Sequence, residues 1–87
     1  MRLPVIKHLG SFIREADQDY VVETIEVLEH LSELETLKDE ELDVIGELLS
    51  NMYGALEVRK LQQDEGLSEK EALNSFMKRV MGAIDKG

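Results

Sequence analysis

Hydrophobic positions recur most densely between residues 42 and 60. Leu42, Ile45, Leu49, Met52 and Leu56 make one stripe at three-four spacing, and Val44, Leu48, Ala55 and Val58 make a second beside it. On a helix turning ~100° per residue these positions, with Tyr53, cover roughly 220°, about twice the arc that a surface helix needs. A helix over residues 39–64 is therefore expected to be covered on two sides, with the rest of the chain packed around it. The remaining arc holds Asp43, Glu47 and Glu57, together with a ladder of small residues, Gly46, Ser50 and Gly54. Each glycine costs ~1 kcal/mol relative to alanine in a helix interior. The ladder is either a line of close helix approach or a pair of glycines tolerated on a solvent face.

The same periodicity predicts three more helices. Pro4 suits a helix start, because its fixed φ and missing N–H are no loss there. Val5, Ile6, Leu9, Phe12, Ile13 and Ala16 then form one stripe over residues 4–16. Asp17 or Asp19 is placed to cap a second helix over residues 19–34, where Val21, Ile25, Leu28 and Leu31 repeat and Val22, Val27 and Leu34 flank them. Its opposite face is an acidic ridge of Glu23, Glu26, Glu29 and Glu33 with His30. Asp39 is the expected cap of the central helix, and Gly66 its left-handed stop. Ser68 and Glu71 have the spacing of a capping box with Leu67 as its staple, so a fourth helix follows over residues 69–84. It carries Ala72, Leu73, Phe76, Met77, Val80, Ala83 and Ile84 on one half-cylinder.

Four helices joined by short connections predict an all-α, four-helix antiparallel bundle-like single domain spanning residues 1–87, with a long central third helix. At ~1.5 Å per residue the central helix reaches ~36 Å and the others roughly 18 to 25 Å, so it overhangs its neighbours. Uncovered apolar surface on a small protein usually marks an interface, and a two-fold dimer is the commonest way to cover it. The expectation is a homodimer meeting through Ile45, Leu49, Met52 and Leu56, with Gly46, Ser50 and Gly54 as a close-contact line.

Charge narrows the partners. The net charge is −9, and it is unevenly spread. Residues 1–14 carry three bases and no acid, whereas residues 15–57 carry fourteen acids against Lys38 alone. Phosphate backbones are held by basic stripes, so nucleic-acid binding is not expected except as a lesser alternative through the basic termini. The acidic middle reads either as solvated helix faces that keep the protein soluble or as a landing surface for a basic partner, formed by Glu23, Glu26, Glu29 and Glu33. The chain has no cysteine, which removes disulfides and thiol chemistry. No apolar run approaches the ~18 residues of a membrane span, and the opening residues do not read as a signal peptide. A cytoplasmic location and no membrane partner are expected.

Residues with chemistry are few. His8 and His30 lack the Glu-x-x-His relation of a di-iron carboxylate bundle. Asp17-Gln18-Asp19 lacks the glycine and closing glutamate of a calcium loop. No nucleophile elbow or phosphate-binding loop occurs. Asn51 and Tyr53, in the run SNMYG, are the positions from which a small polar pocket for a ligand could be built, and core packing of the tyrosine is the competing reading. No catalytic residue, cofactor or metal is expected.

The segments LPVIKHL, YVVETIEVLEHL, LKDEELDVIGELLSNMYGALEV and EALNSFMKRVMG resemble a small all-helical family of uncharacterised proteins from Bacteroidetes, a domain of unknown function. The resemblance covers nearly the whole chain, and ELDVIGELLSNMYGALEV is its most specific part. It implies no activity and no site residues. It does imply a gene neighbourhood of peroxiredoxin and thioredoxin-like proteins, in which a chain without cysteine can serve only as an accessory or binding partner. The sequence thus points to a non-enzymatic protein-interaction module, a homodimeric helical bundle with an acidic partner surface. A small-molecule binder or enzyme with a pocket near Asn51 and Tyr53 is the alternative.

Overall fold

The structure is a computed structural model that describes the backbone of residues 2–86 and the side chains of residues 2–80. Four helices follow in order: α1 (Leu3–Glu15), α2 (Gln18–Leu31), α3 (Asp39–Glu65) and α4 (Glu69–Lys86). The helices pack on one another, and α3 is the longest. Ala83 and Ile84, expected on the inner side of the fourth helix, lie outside the described side chains.

Local chemistry sets most helix ends. Asp17 precedes α2 in extended conformation, and its carboxylate accepts the Asp19 N–H at 3.0 Å. This satisfies one of the free donors of the first turn. Between α3 and α4, Gly66 takes φ 64°, the left-handed region that glycine enters without a Cβ penalty. The capping box then forms in full: the Ser68 N–H donates to Glu71 Oε1 at 3.0 Å, and the Glu71 N–H donates to the Ser68 hydroxyl at 3.2 Å. Hydrogen bonding from the Ser68 N–H first, and from the Ser68 hydroxyl second, holds the Glu71 carboxyl below its ordinary pKa.

Most helix ends fall within one or two residues of the sequence expectation; the cap of α3 and the end of α2 depart from it for physical reasons. Helix α3 is capped from Lys38 rather than Asp39. A lysine side chain has no acceptor to offer, so only the reciprocal half of a box is made, with the Lys38 N–H donating to Glu41 Oε1 at 2.9 Å. Asp39 becomes the first helical residue and, with Glu40 and Glu41, faces the positive end of the helix dipole. Helix α2 ends at Leu31, short of Leu34. The Ser32 hydroxyl donates to the Glu29 carbonyl at 2.6 Å, and turn bonds from Glu33 and Leu34 close the chain into the connection.

One core joins all four helices. It is built from Ile6 and Ile13 of α1, Val21 and Ile25 of α2, Ala55, Val58 and Leu61 of α3, and Ala72, Leu73 and Phe76 of α4. The fully buried α3 members all come from residue 55 or later, and Leu49, Met52 and Leu56 pack against them in part. Helices α1 and α3 run in the same direction: the Arg2 N–H bonds to Asn51, Ile6 packs at Gly54, and Gly10 and Arg14 share a crevice with Ala55, Val58 and Gln62. Helix α4 returns antiparallel to α3: Glu69 and Leu73 share the same crevice with Val58, Arg59 and Gln62, and Phe76, further along α4, lies against Gly54, further back on α3; the Arg79 guanidinium pairs with Glu57 at 3.2 Å. Because α1 begins level with Asn51, the front of α3, residues 39–50, projects beyond it.

Candidate interaction surface

The apolar side chains left uncovered are concentrated in two places. On α2 and the turn after it they are Tyr20, Val22, Val27, Leu31 and Leu34; on the front of α3 they are Leu42, Val44 and Leu48. Val27 is 65% exposed and Val44 is 59% exposed, the two least covered aliphatic side chains outside the turns. Tyr20 meets Phe12 of α1 edge to face, with ring centroids 5.9 Å apart. The exposed strip on α2 therefore continues onto α1.

The residues expected to form a dimer seam are taken up largely inside the subunit. Ile45 is buried, and Leu49, Met52 and Leu56 pack in part against the core. The apolar surplus lies instead on the second stripe, at Val44 and Leu48. The small-residue ladder divides in the same way. A Cβ added at Gly54 would stand 3.0 Å from Ile6 Cδ1 and 3.4 Å from Phe76, so Gly54 is a close approach of α1 and α4 to α3 within one chain. At Gly46 a Cβ would meet nothing within 4 Å, and Ser50 is half-buried.

Asn51 and Tyr53 do not converge on a pocket. Two residues apart on a helix, they point to nearly opposite sides. Asn51 is 1% exposed. Its Oδ1 accepts the Arg2 N–H at 2.7 Å, and its Nδ2 donates to the Glu47 carbonyl at 2.8 Å. The amide is thus a clasp that satisfies a donor at the start of α1, where Arg2 has no side-chain cap of its own. Tyr53 is 49% exposed and donates its hydroxyl to Glu29 Oε2 at 2.7 Å. That hydrogen bond, then loss of solvent and the carboxylate charge, raises the phenol above its ordinary pKa.

The acidic ridge is divided among several roles. Glu29 is engaged by Tyr53, and Glu33, beyond the helix end, lies 3.5 Å from His30. Glu23 and Glu26 stand exposed on α2, with no ion pair among the described residues. Three bases near the chain ends are committed to carboxylates. Arg2 lies 3.9 Å from Glu47, Arg14 pairs with Glu69, and Arg79 pairs with Glu57.

Among the described residues, no group of three or more His, Asp or Glu is placed to hold a metal ion. No helix among them is long and apolar enough to cross a membrane. Sequence periodicity identified the apolar positions on α2 and α3 without separating covered from uncovered ones. The Arg2–Asn51 clasp had no local signal.

The architecture defines a small, all-helical, four-helix protein built around one long helix. The chain belongs to a family of unknown function, DUF6952, which matches residues 1–85. Neither the curated proteins nor the solved structures contain a match to it.

Proposed function

We propose that this protein is a non-enzymatic protein-interaction module that works as a homodimer. The subunits pair through the projecting front of α3, and each offers an acidic side of α2 to another protein. The observation that carries this reading is the exposure of Val44 and Leu48 on the front of α3, the part of that helix that projects beyond the start of α1. Clustered apolar side chains on such a segment favour an occupant that removes them from water, at about 25 cal/mol per Å² buried. A cytoplasmic setting fits the reading, as does an accessory place beside a thioredoxin or peroxiredoxin system, since a chain without cysteine contributes binding rather than thiol chemistry there.

Glu40, Glu41, Asp43 and Glu47 surround Val44 and Leu48. Two copies meeting there bring like charges together, so added salt tightens the dimer by screening them. The test is the mass in solution by light scattering over a dilution series at low and high salt. The expected result is a dimer that dissociates on dilution, resists dilution better in salt, and becomes monomeric in Val44→Ser/Leu48→Ser with helix content retained. A wild-type protein that is monomeric throughout, or a variant that dimerises as well as wild type, overturns the assembly.

A further inference from the structure

We propose that the outer strip of α2 docks a cationic amphipathic helix of a partner protein. This rests on the interaction-module reading above and specifies the partner's chemistry. Tyr20, Thr24, Val27 and Leu31 are spaced i, i+4, i+7 and i+11. At ~100° per residue they fall within about 60° of one another on the helix. Tyr20, Val27 and Leu31 are all exposed, and Phe12 extends the strip onto α1 through its edge-on contact with Tyr20. From Tyr20 to Leu31 the strip is ~17 Å long, about three helical turns. This matches the footprint of a helix that anchors itself with apolar residues at i, i+3 or i+4, and i+7.

The charge beside the strip selects the occupant. Asp19, Glu23 and Glu26 run parallel to it at i, i+4 and i+7, and all three are exposed. No Lys or Arg lies on α2 or anywhere between Arg14 and Lys38, and the one imidazole there, His30, lies 3.5 Å from Glu33. A second copy of this chain would bring a matching acidic row against this one, whereas a helix with Lys or Arg beside its apolar face places opposite charges in contact. Complementary charge also steers encounter and discriminates between partners.

The probe is a designed Leu/Lys amphipathic helix of about five turns. It is titrated into the full-length protein by fluorescence anisotropy, with a scrambled Leu/Lys peptide and a Leu/Glu amphipathic helix as controls. The expected result is saturable binding of the Leu/Lys helix alone. Affinity falls about tenfold in Val27→Ser/Leu31→Ser and by a similar factor in Glu23→Gln/Glu26→Gln, and it weakens with added salt. These are exposed positions, so the variants keep the wild-type helix signal, which circular dichroism verifies. Equal binding of the scrambled peptide, equal binding of the Leu/Glu helix, no binding, or undiminished binding by both variants overturns the proposal. Light scattering on the same samples separates the two readings. A dimer that fails to bind the Leu/Lys helix removes this inference alone, and a monomer that binds it removes the dimer alone. The opposite salt dependences of the two events provide a second separation.

Discussion

Ala55 and Val58 lie on the same stripe of α3 as Val44 and Leu48, yet the first pair is buried in the core and the second stands in water. The two halves of the helix differ in what lies beside them rather than in their own pattern. Helix α1 has 13 residues and α3 has 27, or ~20 Å against ~40 Å. Since α1 begins level with Asn51, its whole length is spent on the back of α3. Hydrophobic periodicity therefore reports which side of a helix prefers a neighbour. Whether a neighbour is present is decided by the length and starting register of the other helices.

The largest expected difference between the halves is in stability. Phe76→Ala, which empties the packing around Gly54, is expected to lower the unfolding free energy by about 3–5 kcal/mol. Val44→Ala on the front should change monomer stability by less than about 0.5 kcal/mol. Urea titrations of the two variants under monomeric conditions measure the contrast, and a comparable loss in Val44→Ala would show that the front is enclosed after all.

Next comes the clasp at the boundary between the halves. Asn51→Ala leaves the Arg2 N–H without its buried acceptor, a loss of about 1–3 kcal/mol. Amide exchange in the first turn of α1 should accelerate more than exchange in α4. Uniform acceleration would mean that Asn51 acts on global stability only.

The two glycines sharpen the contrast further, because alanine should have opposite signs at them. Gly46→Ala meets open space and gains the helix preference, about 1 kcal/mol. Gly54→Ala gains the same preference but presses on Ile6 and Phe76, at a cost of about 1–3 kcal/mol, for a net loss. Midpoints from thermal unfolding that shift the same way in both variants would contradict the close approach.

The smallest effect concerns pH. The Glu71 pKa is depressed in the folded state by its hydrogen bonds to Ser68. Its contribution is fully present above the ordinary carboxylate value of about 4.3 and is lost as pH falls through the lower folded value. Wild type should thus lose slightly more stability than Glu71→Gln as the solution is acidified below about pH 5. Parallel acid profiles would indicate that the box contributes no proton linkage.

What the sequence made legible was local. The Ser68–Glu71 box and the Gly66 stop are complete within a few residues, and helix positions follow from stripes a single element carries. The start of α3 at residue 39 was read correctly, but its cap was placed one residue late because Asp39 is a better capping residue than Lys38, while the hydrogen bond that forms is accepted by Glu41 reaching back. The candidate sites depended on relations between elements. Asn51 read as a pocket residue because a polar group in an apolar run lacks an evident partner in sequence; its partner is a main-chain N–H 49 residues away. Tyr53 and Glu29, 24 residues apart, were each assigned to a different feature for the same reason.

The clasp also has a kinetic consequence. Helices α3 and α4 adjoin through a tight turn at Gly66, so their contacts close short loops, whereas docking α1 on α3 requires closure across 49 residues at Asn51. Longer loops cost more chain entropy before their contacts repay it. The α3–α4 hairpin is therefore the expected nucleus, with α1 laid onto it afterwards as the step that completes the native state. Pulse-labelled amide exchange during refolding should find the back of α3 protected before α1.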